Sequence, residues 1–273
     1  MRPLHHIVGL RRILLPVLQR LSPGDIHLCH HWTGERFVLD AFKHKSYWYH
    51  GKRREQATML LFADLIERGD RVIEIGGHIG YLSLYLAQLT GPAGRVTVFE
   101  PGPNNLPYLR RNVAAKPWVE VLEQAVTDRV GSARFHLENI TGQNNSLLED
   151  CRARQFNEAT AFAGSTDTST VDVTCTTLDD FVKENGCTQP SFIKIDVEGA
   201  ELQVLQGMKC LLEAGPALMV EVTEHGALVM ALLRAASYEL FSDRRQRIGS
   251  ARDMRGNVFC LKSGDRRLVH FET

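Results

Sequence analysis

The chain has 273 residues, of which 44% are hydrophobic and 23% charged, and Lys+Arg 32 balances Asp+Glu 32. That describes one large globular α/β domain, or such a domain with a modest extension. With no net charge there is no global field to draw in nucleic acid or an anionic surface, so a nucleic-acid partner is not expected. The six cysteines (Cys29, Cys151, Cys175, Cys187, Cys210, Cys260) show no C-x-x-C spacing. They read as neither zinc ribbon nor disulfide framework, which suits a reducing, cytoplasmic compartment. Cys210, just before Leu211-Leu212, reads as a small buried hydrophobe.

The first 24 residues contain no acid but include Arg2, Arg11, Arg12 and Arg20. Leu10, Ile13, Leu14, Val17, Leu18 and Leu21 fall on one helical face around Pro16. This is too short to span a bilayer and lacks a cleavage site, so no transmembrane segment or secretory signal is expected. The reading is an amphipathic helix that packs on its own domain or on a second copy of the chain. Arg36 to Ala41 alternates, and Lys45 to Tyr49 reads as a second strand, together a hairpin in an N-terminal extension over residues 1–52. Residues 53–273 then form the main domain.

That domain opens with a helix at 53–68, followed by strand 71–75, helix 79–89, strand 95–99, helix 103–114 and strand 119–122. Extra strands are expected at 133–138 and 171–175, where β-branched or alternating residues recur. Between them, residues 139–170 are polar and aperiodic, which reads as a lid or insertion. Helix 177–185, strand 191–195, helix 200–213, strand 217–222, helix 226–236 and strands near 238–241 and 257–262 complete the series. The alternation predicts a doubly wound, Rossmann-like, mainly parallel sheet, and the last two strands, with no helix between them, an antiparallel ending.

Two strand–turn–helix units carry the chemistry. In Val72-Ile73-Glu74-Ile75-Gly76-Gly77-His78-Ile79-Gly80 the glycines allow a sharp turn and close approach of a ligand. A nicotinamide fingerprint started at Gly76 would need glycine at 78 and 81, where His78 and Tyr81 stand. The next strand ends in Glu100, whose carboxylate can accept from both ribose hydroxyls of an adenosine. With Glu74 also beside the loop, two acids flank a turn that would otherwise attract phosphate. This suits a cofactor with an amine and a positive sulfur, S-adenosylmethionine.

The second unit is Ser191-Phe192-Ile193-Lys194-Ile195-Asp196-Val197-Glu198-Gly199-Ala200-Glu201. Its part Ile193 to Glu201, together with Val72 to Leu84, Val98-Phe99-Glu100-Pro101, Asn104, Leu109 to Val113, Ala125-Val126, Asp128, Ser146-Leu147 and Thr177-Leu178-Asp179, closely resembles the FkbM-type methyltransferases, over about residues 53–225. The resemblance implies a class I methyltransferase fold, S-adenosylmethionine as cofactor, and O-methylation of a sugar, glycolipid or secondary metabolite. It also implies a cofactor site of Glu74, Gly76, Gly77, His78, Gly80, Glu100, Asn104, Ala125 and Asp196. The chain departs from the family at Glu74, where Asp is usual, and at Gly77-His78, where Ala-Asn is usual.

Methyl transfer to an alcohol needs alignment and a base within reach of the hydroxyl proton. Asp196 at its strand end, Glu198 two residues on, and His225 beyond the next strand are the candidates, with Glu221 nearby. The structural alternatives are turn capping for Asp196 and amide acceptance for Glu198, with Lys194 neutralising a neighbouring acid. No compact metal motif is present, although Asp196, Glu198, Glu221 and His225 are of the type that holds a hard cation. N- or carboxyl-methylation on the same fold, and a catalytically silent binding module, are the competing functions.

Overall fold

A computed structural model gives the fold and describes residues 17, 19–138, 141–149, 168–186 and 189–271. Its centre is a seven-stranded sheet in the order β11-β12-β10-β9-β3-β4-β5. The strands are β3 (Arg71–Ile75), β4 (Arg95–Phe99), β5 (Val119–Leu122), β9 (Phe192–Ile195), β10 (Ala217–Val222), β11 (Tyr238–Ser242) and β12 (Gly256–Lys262). β3, β4, β5, β9 and β10 pair in parallel, and β12 runs antiparallel to both of its neighbours. The predicted class, a mainly parallel class I methyltransferase sheet with an antiparallel terminal strand, is the observed one.

Period-2 alternation along these strands sorts their side chains onto two apolar layers. Val72, Phe192, Ala217 and Met219 face α2 (Gln56–Leu65), α3 (Tyr81–Thr90) and α4 (Leu106–Val113). Ile73, Ile193, Ile195, Leu218 and Val220 face α5 (Leu178–Glu184), α6 (Glu201–Gln206), α7 (Lys209–Ala214) and α8 (Gly226–Ala235). On the first face the apolar row gives way, two residues further along β3 and β9, to Glu74 and Lys194, which are in register with Met219 of β10. Two residues further still come Gly76, Asp196 and Glu221. The polar cluster therefore lies at the carboxyl ends of the central strands, beside the order reversal between β3 and β9, where such sheets bind ligands.

A separate three-stranded sheet, β6 (Ala125–Val126), β8 (Thr168–Thr176) and β7 (Gly131–Glu138), holds both extra strands. Thr177 caps α5 by accepting the Asp180 amide, and Asp179 accepts the Cys210 and Leu211 amides at the start of α7.

Three expectations need correction. The hairpin partner of β2 (Arg36–Asp40) is β1 (Asp25–Cys29), and Lys45–His50 is a helix, α1. Tyr and Trp favour strands, but burial of Tyr47 against Phe37 and Tyr81 decides the matter here. Helix 200–213 is broken at Gly207-Met208, where Gly207 lies so close to the Thr127 carbonyl that a Cβ would sit 2.1 Å from it. The break turns Leu211 and Leu212 inward, leaving Cys210 exposed rather than buried.

Most of the predicted N-terminal helix, and residues 150–167 of the predicted lid, lie outside the described residues. Phe37, Leu39 and Tyr47 share one core with α2 and α3. Asn112 fixes the β2 strand to the glycine loop, bonding Val38 N and O at 2.7 and 2.9 Å and Ile79 O at 2.8 Å. Among the described residues no helix is long and apolar enough to cross a membrane.

Candidate active site

Two cavities share the crevice beyond the strand ends. The first, enclosing about 560 Å³ with its mouth, is walled by Ile75, Phe99, Glu100, Pro101, Gln124, Ala125 and Val126. The second, about 790 Å³ measured the same way, is walled by Tyr47, Arg54, Glu55, Glu74, Gly77, Tyr81, Lys194 and Glu221. Both reach Gly76, His78, Gln143, Asp196 and Glu198, so these five residues form their junction.

In the first cavity, Glu100 is buried at the end of β4 and accepts from three donors. They are His78 N at 2.7 Å, Gly102 N at 2.8 Å and Asn105 Nδ2 at 3.3 Å. Burial nonetheless dominates and pushes its carboxyl up to about 7. Asn105 Oδ1 is buried without a hydrogen-bond partner among the described residues. Asn104 stands one layer back, accepting from Asn145 Nδ2 at 2.8 Å and donating to Glu138 O. Ser146 donates to Glu198 O at 2.8 Å, while Leu147 lines the cavity, so the described part of the 139–170 stretch roofs the site.

The glycines divide their tasks. Gly76, with φ 86°, passes so close to β9 that a Cβ would lie 1.9 Å from Asp196 O. Gly77 and Gly80 press instead on Val98 and Leu109, letting α4 pack against the loop.

His78 is half-buried, and its removal from solvent lowers its pKa. Its Nε2 lies 3.3 Å from the Thr141 carbonyl, which can only accept. Nε2 therefore carries the proton, and Nδ1 accepts the Tyr47 hydroxyl at 2.9 Å. His78 thus ties the roof to α1.

The second cavity is organised around Lys194, whose side chain is 1% exposed. Its Nζ donates to Gly76 O at 2.7 Å and lies 3.1 Å from Asp196 Oδ2 and 3.7 Å from Glu74 Oε1. Burial opposes the ammonium charge, but Asp196 and Glu74 more than offset it, raising its pKa. Glu74 Oε2 accepts from Ser83 at 2.5 Å, and its Oε1 has no hydrogen-bond partner. One buried cation cannot neutralise all the acids here. Burial and then Asp196 push Glu198 upward; the Asp196 charge and then burial do the same to Glu221.

Arg54, half-buried, stacks over the Tyr47 ring at 4.4 Å and is in no ion pair among the described residues. Glu201 of the motif accepts Gly199 N and the Thr223 hydroxyl, a structural role. His225 is exposed at the start of α8 and lines neither cavity. Among the described residues no three His, Cys, Asp or Glu side chains are placed to hold a metal ion. Sequence reasoning missed Arg54, Tyr47, Tyr81, Asn105 and Gln143; for Glu74, Lys194 and Glu221 the signal was a polar residue at period 2 from the apolar row.

The sheet order and the crevice define a doubly wound α/β protein that binds its ligand beyond the carboxyl ends of the central strands. The residues fit S-adenosylmethionine, since Glu100, Glu74 and Asn105 Oδ1, the last without a hydrogen-bond partner among the described residues, are acceptors for hydroxyl or amine donors. The chain belongs to the FkbM methyltransferase domain family, whose model matches residues 74–240. It is 27% identical over 198 residues to the methyltransferase sdnD of Sordaria araneosa, covering 64% of this chain and 76% of that protein. It is 30% identical over 147 residues to the 2-O-methyltransferase NoeI of Sinorhizobium fredii, covering 53% and 60%. With the hexuronic acid methyltransferase AglP of Haloferax volcanii it shares 25% over 171 residues, covering 62% and 63%. It thus spans less than two thirds of NoeI and of AglP.

Proposed function

We propose that this methyltransferase acts on a hydroxyl group of a glycan or glycolipid, with the first cavity for adenosine and the second for the methionine end and the acceptor. The observation that carries the reading is the junction, where Asp196 and Glu198 line both cavities. When bound there, S-adenosylmethionine supplies an electrophilic methyl group. Glu100 holds the ribose, Glu74 the amine, and Arg54 the methionine carboxylate.

Asp196, pinned by Lys194, orients the acceptor hydroxyl. Glu198 takes its proton, because burial beside Asp196 makes it a stronger base than an exposed carboxylate. Glu221, pushed toward its protonated form, donates to a second acceptor hydroxyl. Carboxyl groups in mixed protonation states can both accept from and donate to a polyol, which suits a sugar. The name of NoeI, a 2-O-methyltransferase, supports transfer to oxygen, and that of AglP, a hexuronic acid methyltransferase, supports a sugar acceptor.

The test is transfer of labelled methyl to a panel of neutral-sugar, uronate and amine acceptors, with NMR assignment of the methylated atom. Methyl found on nitrogen or on a carboxylate would overturn the reading. Activity abolished by EDTA and restored by Mg²⁺ would replace Glu198 as proton acceptor with a cation site.

A further inference from the structure

Although the chain is neutral overall, its cations are not evenly spread. Residues 41–54, Ala-Phe-Lys-His-Lys-Ser-Tyr-Trp-Tyr-His-Gly-Lys-Arg-Arg, contain five Lys or Arg, four Phe, Tyr or Trp, and no acid. Lys43, Lys52 and Arg53 are exposed and in no ion pair among the described residues. The acids of the neighbouring hairpin are committed elsewhere: Asp25 to Arg111, Glu35 to Lys116, and Asp40 to the Phe42 and Lys43 amides.

Trp48 is 45% exposed and Tyr49 61%. The Trp48 indole is fixed to Ala41 O at 2.8 Å, which holds the ring against the turn that carries Lys43. Within this segment Tyr47 and Arg54 line the second cavity, so the exposed residues belong to the same short stretch of chain that walls it.

From this juxtaposition we infer that residues 41–54 dock the enzyme on an anionic bilayer, with Lys43, Lys52 and Arg53 on the headgroups and Trp48 and Tyr49 at the interface. Cations alone would suit any polyanion, but amphipathic aromatic rings beside them gain most at a headgroup–acyl boundary. The proposal rests on the second cavity being the acceptor side, and narrows the acceptor to one carried on a lipid and presented at the membrane surface.

The experiment is co-sedimentation of the full chain with phosphatidylcholine vesicles, with and without phosphatidylglycerol, at low and high salt. Binding is expected only with the anionic lipid and should weaken with salt. K43E/K52E/R53E should lower partitioning by about 10²-fold or more, the product of roughly fivefold for each of three juxtamembrane charges. Trp48→Ala should lower it further at fixed charge. Both variants should keep parental S-adenosylmethionine binding by calorimetry, which shows that they are folded.

Equal binding to both vesicle types, or a triple variant that partitions like the parent, would overturn the proposal. So would binding to heparin with no vesicle binding, which would mark a polyanion surface. Loss of vesicle binding leaves transfer to a soluble acceptor intact, whereas failure of the hydroxyl reading leaves vesicle binding intact, so the two failures are separable.

Discussion

The two cavities of the crevice share a wall but work in different electrostatic regimes. In the first, one buried carboxylate, Glu100, is held by two backbone amides and one side-chain amide, all neutral donors. In the second, Glu74, Asp196, Glu198 and Glu221 compete for the buried ammonium of Lys194. Neutral donors fix a carboxylate in place without binding it to another charge, which leaves it free to receive a ligand's hydroxyls. Crowded like charges force protons to be shared, which poises groups for proton transfer. Binding and chemistry are thereby separated by how each acid is neutralised.

The comparison breaks most visibly at the junction. Glu198→Gln should lower kcat by about 10²–10⁴-fold, the usual contribution of a positioned base, while cofactor affinity stays within a few fold. Asp196→Asn should also largely abolish turnover, because the hydroxyl loses its orienting partner. Their pH profiles tell them apart. In the parent, kcat should rise through one ionisation displaced above the ordinary carboxylate range, since burial beside Asp196 raises Glu198. Asp196→Asn removes the neighbouring charge, so the residual activity should rise at lower pH. If Glu198→Gln turns over like the parent, Asp196 is the base. His225→Ala should be near parental, its side chain being exposed and outside both cavities.

Much of this fold was legible in the sequence, because strand and helix periods are local properties. The spans expected for the strands at 71–75, 95–99, 119–122 and 217–222 are those observed. Glu100 and Asp196 were readable for the same reason: each directly follows a run of apolar strand residues, so its position beyond the strand end needs no tertiary information. Arg54 and Tyr47 were not readable. They reach the site only because α1 folds under β2 and buries Tyr47, and the Tyr-Trp-Tyr run argued locally for a strand. The Gly207 break was hidden too, since the group that approaches it there, the Thr127 carbonyl, lies eighty residues earlier in the chain.

On the binding side the expected effects are smaller. Glu100→Ala should weaken S-adenosylmethionine binding by about 1.5–3 kcal/mol, the range for hydrogen bonds to a charged group. Unchanged affinity in a folded variant would remove Glu100 from the site. Arg54→Ala should cost about 1–2 kcal/mol, less because the guanidinium is only half-buried and partly screened. S-adenosylhomocysteine, which keeps the methionine carboxylate, should lose as much. A loss confined to the acceptor KM would move Arg54 to the acceptor side.

The smallest effect is also the most diagnostic of the first cavity. With no ligand bound, burial raises Glu100 to about 7, so near neutral pH it is part carboxylic acid. Ribose hydroxyls donate to the ionised form, hence cofactor binding favours loss of that proton. The sign follows: affinity should be greatest above pH 7 and fall as pH drops through it. With one group titrating, the fall between pH 8 and pH 6 is about tenfold. Calorimetry at pH 7 in two buffers of different ionisation enthalpy should show release of a fraction of a proton per cofactor bound. Glu100→Gln should bind more weakly, yet lose both the pH dependence and the proton release. If the pH dependence survives in Glu100→Gln, the titrating group belongs to the second cavity, and the separation of the two regimes fails.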